Sequence, residues 1–329
     1  MSEDKHKHFT AEDLLPKSGE PTPLMGEEIY EEMAAQTKVF NTIFIANSRH
    51  TPVHAALDKC RILGLAEPGL RKRCLRILGP SGSGKTTIIE SYERRLMERV
   101  PLEEQGERRP VVIIPLNADL TIRSFWVKVL SCFGDTMIRK SDTEEVLRPR
   151  AYDYIRKYKV ELLIIDEVQH LEAGTTKRVD VTDRLKCVLD DGIVPLALTG
   201  TTQALPMLRR NVQLANRMIE PADIKPLSSK VPQDVKDFTG FLKRLDTAVV
   251  EKTLMVGHAG LADHRVAAAI MEVSNGVLGR GVNLVRVAFQ RAVCRKAEMI
   301  ELCDLHAATE SWALSQKIAV RNPFRPKKG

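Results

Sequence analysis

The chain has 329 residues, of which 43% are hydrophobic, 28% are charged and only 5% are aromatic. This composition is ordinary for a globular protein, and so few aromatic residues argue against a multi-bladed β protein or a sugar-stacking module. Lys and Arg number 50 against 43 Asp and Glu, and the net charge of +7 permits an anionic partner such as nucleic acid without requiring one. No apolar run approaches the length of about 18 residues that spans a bilayer, so we expect no membrane partner.

The subcellular location is predicted from the cysteines and the N-terminus. The six cysteines show no C-x-x-C spacing, and no histidine pair completes a zinc pattern. Isolated cysteines in apolar or helical context are typical of small buried side chains in a reducing compartment. Because the polar N-terminus also lacks the apolar stretch of a signal peptide, we expect a cytoplasmic protein.

The first part of the chain is predicted to be an arm, followed by an α/β core. Residues 1–50 begin with proline-rich, mixed-charge sequence and are predicted to form a partly disordered N-terminal arm, with helical patterns from Gly26 onward. Short apolar segments then alternate with amphipathic stretches, which predicts a parallel sheet covered on both faces within a core over residues 51–228. The four apolar segments are CLRIL at Cys74, VVIIPL at Val111, ELLIIDE at Glu161 and VPLALTG at Val194.

The remainder of the chain is predicted to be helical. The strand pattern stops near Pro226, and the segments beyond it have helical periodicity. We therefore predict a small all-helical lid over residues 229–312. A basic tail follows over residues 313–329, with five basic residues and no acidic residue after Gln316.

The strongest motif is GPSGSGKT, which follows the first apolar strand and opens a helix. Glycines allow successive backbone N–H groups to wrap phosphates, and a helix N-terminus favours an anion. In this pattern Lys85 is predicted to contact the β- and γ-phosphates, and the hydroxyl of Thr86 is predicted to bind Mg²⁺. The residues predicted to bind ATP are Gly79, Pro80, Ser81, Gly82, Ser83, Gly84, Lys85, Thr86 and Thr87.

A second motif, LLIIDE, places two carboxylates at the end of a predicted central strand, where ligands bind in open α/β sheets. Asp166 is predicted to bind ATP-associated Mg²⁺ through its water ligands, together with Thr86. Glu167 is predicted to be the general base that activates the attacking water. A metabolite kinase has no need of the second carboxylate, so the pair favours hydrolysis over transfer.

Further candidates lie after the last predicted strand. If that strand lies between the first strand and the Asp166 strand, Thr201 can hydrogen-bond the γ-phosphate or the water, although helix capping is an equal alternative. Arg217 is our candidate for an arginine that stabilises transition-state charge in a neighbouring subunit, with surface solvation as the alternative. Arg280, at the start of a predicted lid helix, is the candidate for contacting the phosphates from the lid.

In this order the motifs resemble an AAA+ ATPase, with Walker A at Gly79–Thr86, Walker B at Leu162–Glu167, sensor 1 near Thr201, an arginine finger near Arg217 and sensor 2 at Arg280. More narrowly, the segments IIDEVQHL, GxSGxGKTT, NRMIEPADIKPLS and SNGVLGRGVNLV resemble the TniB/TnsC family of transposition regulators. The run TPVHAALDKCRIL also resembles the entry helix of that family. The similarity implies a P-loop AAA+ core with a parallel sheet flanked by helices, followed by a small helical lid.

The resemblance also implies partners and a biological role. It implies an ATPase, dependent on ATP and Mg²⁺, that assembles as rings or helical filaments on double-stranded DNA. Members of the family link a target-selector protein to a DDE-type transposase. Alternatives are an AAA+ ATPase of secretion or signalling without a DNA partner and a replication initiator or loader.

A DNA-contacting segment is predicted separately from the residues. Non-specific binding to duplex DNA needs Lys and Arg on one face, with hydroxyl or amide groups aimed at phosphates. Such side chains lie close together after the second predicted strand. The candidates are Thr121, Arg123, Lys128, Arg139 and Lys140.

Overall fold

The computed structural model of the chain describes residues 9, 12–14, 26–117, 121–172 and 181–325. Most of the first half of the predicted arm, and the last four residues of the predicted basic tail, lie outside these residues. The chain divides into two compact units. The nucleotide-binding unit comprises Arg49–Lys225, and the helical unit combines the chain up to Ser48 with the chain from Pro226 onward. No helix within the described ranges has the length and apolar character needed to cross a bilayer.

The strands and helices follow the predicted alternation. The strands are β1 (Cys74–Leu78), β2 (Val111–Pro115), β3 (Leu162–Asp166) and β4 (Leu196–Gly200). The helices of the nucleotide-binding unit are α2 (His50–Ala66), α3 (Lys85–Met97), α4 (Ile122–Cys132), α5 (Glu144–Lys157), α6 (Val181–Asp190), α7 (Leu205–Arg210) and α8 (Val212–Ala215). The helices of the helical unit are α1 (Glu27–Phe40), α9 (Pro232–Glu251), α10 (His264–Ser274), α11 (Leu278–Cys294) and α12 (Leu302–Ala308).

The four strands form one parallel sheet in the order β1-β4-β3-β2. Cys74 of β1 lies opposite Leu196 of β4, and Leu196 also lies opposite Leu163 of β3. β4 therefore lies between the strand that leads into the glycine-rich loop and the strand that ends in Asp166. This is the arrangement on which the predicted role of Thr201 depends.

Both faces of the sheet are covered, which explains why the strands are continuous apolar runs. On one face Leu163 of β3 packs in a core that includes Trp126 of α4, and on the other Ile164 packs in a core that includes Tyr92 of α3. Because successive side chains of a strand point to opposite faces, a strand buried on both sides has no polar alternation. The predicted fold, a parallel sheet flanked by helices, is confirmed.

An additional extended segment runs along the free edge of β1. The backbone N–H of Ile219 donates to the carbonyl of Cys74 at 2.8 Å, and that of Ile224 donates to Leu78 at 2.7 Å. Pro221 interrupts the segment and cannot donate to a ladder, so the pairing is irregular. The sequence pattern predicts no strand here, because the segment lacks an apolar run.

The chain before Ser48 differs from the predicted arm in its described part. The side chain of Phe40, at the end of α1, is almost fully buried and stacks on Phe289 of α11 with ring centroids 5.2 Å apart. The expected separate arm over residues 1–50 is therefore replaced, from Gly26 onward, by a helix that belongs to the helical unit. The physical reason is the burial of one large aromatic ring. A single buried ring at the end of a helix gives no sequence pattern from which its packing can be predicted.

The described part of the predicted basic tail also packs on the helical unit. Phe324 is fully buried and stacks on Phe9 at a centroid distance of 5.6 Å. The guanidinium of Arg325 donates to both carboxylate oxygens of Glu310, at 2.7 and 2.9 Å, within a π-helical turn over Thr309–Leu314. The chain up to Arg325 is thus held by one buried ring and one bidentate ion pair.

Candidate nucleotide-binding site

The glycine-rich loop joins β1 to α3, and its backbone requires glycine at several positions. Gly82 and Gly84 have φ angles of 79° and 83°, in the left-handed region that side chains disfavour. A Cβ on Gly79 would lie 2.8 Å from the carbonyl oxygen of Ile224, which belongs to the edge segment beside β1. The loop is therefore packed too closely on one side, and turned too sharply, for larger residues.

The predicted ATP-binding residues lie together in this loop and in the first turn of α3. Lys85 is buried, and its Nζ donates to the carbonyl oxygens of Gly79 and Pro80 at 3.0 Å each. Burial lowers the pKa of Lys85, while the negative charges of Glu167 and Asp166 act in the opposite direction. Ser81, Gly82, Thr86 and Thr87 are exposed, so the outer side of the loop is open to a ligand.

Asp166 lies at the meeting point of three hydrogen-bond donors. The hydroxyl of Thr86 donates to Asp166 Oδ2 at 3.0 Å. The hydroxyl of Thr199 donates to Asp166 Oδ1, which also accepts from the backbone N–H of Glu167 at 2.9 Å. The predicted pair of Thr86 and Asp166 is therefore in direct contact, and a third residue supports it from β4.

This donor set fits a magnesium ion that is shared with a phosphate ligand. Mg²⁺ prefers oxygen ligands and usually keeps several waters, with one or two carboxylates and substrate phosphates completing its shell. Thr86 and Asp166 supply adjacent hydroxyl and carboxylate oxygens. The described residues contain no cluster of three or more His, Cys, Asp or Glu side chains that would hold a metal by themselves. The oxygen pair of Thr86 and Asp166 thus suits Mg²⁺ that is bound together with a nucleotide.

Glu167 follows β3 directly, at the edge of the sheet where the glycine-rich loop also lies. Its backbone has a φ of 60°, a left-handed conformation that is uncommon outside glycine and recurs at functional sites. Its half-buried carboxylate accepts a hydrogen bond from the amide nitrogen of Gln169. The predicted general base is therefore positioned by an unusual backbone turn and by a neighbouring amide.

The end of β4 separates the roles of two threonines. The hydroxyl of Thr201 is buried and has no hydrogen-bond partner among the described residues. Thr201 precedes a 3-10 turn, but its side chain makes no capping hydrogen bond, so the alternative capping role is not seen. Thr199, which was not among the predicted site residues, is the residue that contacts Asp166. Its signal was its position two residues before Thr201, because residues i and i+2 of a strand share a face.

Comparison with known protein families shows to which family the chain belongs. The family model described as "Bacterial TniB protein" matches residues 45–226, more than half of the chain. The chain belongs to the TniB family. No curated protein matches its sequence.

Solved structures establish the fold of this TniB-family chain at low sequence identity. The ORC2 protein of Aeropyrum pernix, in ADPNP and ADP complexes, matches with a TM-score of 0.60 and 15% identity over 83% of this chain and 71% of that chain. The ORC1 protein of the same organism, in complex with DNA, gives 0.60 and 17% over 81% and 66%. Cdc6p of Pyrobaculum aerophilum gives 0.58 and 14% over 83% and 70%. The TniB-family chain therefore has the AAA+ P-loop fold.

The candidate arginines of the TniB-family chain differ in their surroundings. The guanidinium of Arg217 forms an ion pair with Asp190 at the end of α6. Arg280 lies in the helical unit on the first turn of α11, where its half-buried side chain has no hydrogen-bond or ion-pair partner in the described ranges. The finger and lid roles of Arg217 and Arg280 stay predictions.

The candidate DNA-contacting residues fall into two groups. Thr121 accepts from Ser124 N at 3.0 Å and caps α4, whereas Lys128 is half-buried on the same helix. Arg123 donates to the backbone carbonyls of Asp142 and Arg139 at 2.9 and 2.7 Å and thereby braces the following loop. This braced loop exposes Arg139 and Lys140, whose side chains have no partner among the described residues. Of the five candidates, Arg139 and Lys140 are the two described cations that are both exposed and unpaired.

Proposed function

We propose that this TniB-family protein is an ATP-dependent, DNA-binding AAA+ regulator of DNA transposition. It binds ATP with Mg²⁺, hydrolyses ATP to ADP and phosphate, and oligomerises as a ring or helical filament on double-stranded DNA. In this role it links a target-selector protein to a DDE-type transposase. The observation that carries the catalytic part is the convergence of Thr86, Thr199 and Glu167 on Asp166, directly beside the glycine-rich loop.

The proposed chemistry assigns one task to each group. The backbone N–H groups of the loop and the ammonium of Lys85 bind the phosphates, and the helix N-terminus adds favourable dipoles. Thr86 and Asp166 hold the Mg²⁺ that neutralises phosphate charge. Glu167 accepts a proton from the attacking water while the oxygen of that water bonds to the γ-phosphorus and the bond from the γ-phosphorus to ADP breaks. Thr201 supplies a hydroxyl toward the γ-phosphate or the water.

Assembly would bring a second subunit to this site. An arginine finger stabilises charge that develops on the transferred phosphoryl group. Arg217 can serve only after leaving Asp190, so in this proposal oligomerisation exchanges an internal ion pair for a contact with a neighbouring subunit. Arg280 is proposed to contact the phosphates from the helical unit.

The DNA-binding part is supported by the braced loop and by family membership. Arg139 and Lys140 are exposed and unpaired among the described residues, as non-specific contacts to phosphates require. The proposed role in transposition rests on the match to the TniB family. Among the fold neighbours, the Aeropyrum pernix ORC1 protein was solved in complex with DNA.

The decisive experiment measures ATP turnover and assembly with and without duplex DNA. We expect ATP to convert the purified protein into large assemblies on DNA, visible by light scattering and electron microscopy. The Glu167→Gln variant should bind ATP normally, lose about 100-fold or more of its turnover and remain assembled, because the base is removed while the phosphate contacts stay. Turnover at the rate of the unaltered protein would contradict the role of Glu167.

The alternatives predict different outcomes of the same experiment. An ATPase of secretion or signalling would hydrolyse ATP without any response to duplex DNA and without salt-sensitive DNA affinity. An initiator or loader would assemble on DNA but would have no effect in a reconstituted transposition reaction. Adding a DDE-type transposase to that reaction separates the two DNA-binding proposals.

A further inference from the structure

The side chain of Gln169 joins the ends of two neighbouring strands. Gln169 lies on the 3-10 turn Val168–Glu172 that follows β3. Its amide nitrogen donates to the carboxylate of Glu167, and its Oε1 accepts a hydrogen bond from the backbone N–H of Thr201 at 2.9 Å. One amide therefore spans from the proposed general base to the residue at the end of β4.

The chemistry of the two partners fixes the orientation of this amide. A backbone N–H can only donate, so the oxygen of Gln169 must face Thr201. An ionised carboxylate can only accept, so the nitrogen of Gln169 must face Glu167. The two contacts agree on the same orientation, which makes the bridge directional.

The fold leaves space for this bridge at Gly200. A Cβ on Gly200 would lie 2.6 Å from Gln169 Oε1 and 3.1 Å from the backbone nitrogen of Val168. The carbonyl of Gly200 accepts from the N–H of Gly79, at the start of the glycine-rich loop, at 3.1 Å. The end of β4 is thus connected to the phosphate-binding loop on one side and to Gln169 on the other.

Thr201 supplies an independent pointer to a ligand at this end of β4. Its hydroxyl is buried but has no hydrogen-bond partner among the described residues. Because a buried hydroxyl without a partner is costly, it is expected to find one when the site is complete. A ligand contact at Thr201 would reach Glu167 through the same residue's backbone N–H and the Gln169 amide.

We propose that Gln169 is a positioning residue for ATP hydrolysis, holding the carboxylate of Glu167 in register with the end of β4. This inference rests on the ATPase function proposed above and names a residue through which that site is controlled. Gln169 acts through Glu167 and is not itself a catalytic residue. It couples the placement of the base to the strand end that carries Thr201.

The test compares two substitutions of Gln169 that affect its two hydrogen bonds differently. Gln169→Met keeps the length of the side chain and removes both hydrogen bonds. Gln169→Glu keeps an acceptor for the N–H of Thr201 but places a second carboxylate against Glu167. We expect Gln169→Met to lower kcat about tenfold with KM changed by no more than about twofold, and Gln169→Glu to lower kcat further.

The relative kcat values of the two variants distinguish the roles, because glutamate resembles glutamine in shape more closely than methionine does. A residue with a purely structural role would tolerate glutamate at least as well. Gln203→Ala is the matched control, because Gln203 is an exposed glutamine just after β4, and it should retain the original kcat.

The outcomes separate the inference from the proposed function. Each variant is checked for its thermal unfolding midpoint and its affinity for a fluorescent ATP analogue, and both should match the unaltered protein. If the unaltered protein does not hydrolyse ATP, the proposed function fails. If it hydrolyses ATP but Gln169→Glu retains the original kcat, the positioning role is wrong and the proposed function stands. The same conclusion follows if Gln169→Met has the lower kcat of the two variants.

Discussion

Two charged regions of the nucleotide-binding unit differ in how their side chains are partnered. Asp166 accepts hydrogen bonds from three donors, and Glu167 beside it is held by Gln169. In the loop after α4, Arg139 and Lys140 are exposed and have no partner among the described residues. Arranged groups suit a small ligand of fixed geometry, whereas free cations suit a long polyanion that is bound by charge.

This difference predicts two kinds of mutational response. Changes around Asp166 should alter binding or turnover steeply, because each group there has a defined partner. Changes in the braced loop should alter DNA affinity gradually and in a salt-dependent way, because released counterions drive such binding. Three substitutions test this contrast between the surroundings of Asp166 and the braced loop.

The largest effect is expected from Lys85→Ala. The substitution removes the buried ammonium that we propose contacts the phosphates, and we expect ATP affinity to fall by about 100-fold or more. Titration of a fluorescent ATP analogue measures the change. Glu90→Ala, at an exposed position of the same helix, is the control and should bind ATP normally. Equal affinity in the Lys85 variant would remove the phosphate-binding role of the loop.

An intermediate effect is expected from Thr199→Val, which deletes the hydroxyl contact to Asp166 and conserves the shape of the side chain. A hydrogen bond to a charged group contributes about 1.5–3 kcal/mol, so we expect turnover at limiting Mg²⁺ to fall about tenfold or more. Thr199→Ser keeps the hydroxyl and should recover most of the activity. A valine variant with an unchanged Mg²⁺ dependence would show that the contact does not support the metal site.

The smallest effect is expected from the double substitution of Arg139 and Lys140 by alanine. Each lost phosphate contact should reduce the slope of log affinity against log salt by about one, with ATP turnover in the absence of DNA unchanged. Fluorescence anisotropy with duplex DNA over a salt series measures the slope. Alanine at Arg71 and Arg99, two exposed arginines of the same unit, removes the same net charge and should leave the slope unchanged. An equal loss in both double variants would mean that only net charge matters.

The sequence by itself determined the features that a single continuous segment contains. The glycine-rich loop, the apolar strands and the DE pair are each encoded within a few neighbouring residues, because local backbone geometry and two-sided burial restrict the residues allowed there. Those motifs therefore predicted the parallel α/β core and placed Lys85, Thr86, Asp166 and Glu167 in one site.

The tertiary structure alone decided which distant residues meet. The contact of Thr199 with Asp166 and the bridge from Gln169 to Thr201 depend on β4 lying beside β3, and strand order is not written in any local pattern. Likewise, the burial of Phe40 and Phe324 joins α1 and the segment that ends at Arg325 to the helical unit. Single side chains made these contacts, and a single side chain leaves no periodicity from which its partner can be predicted.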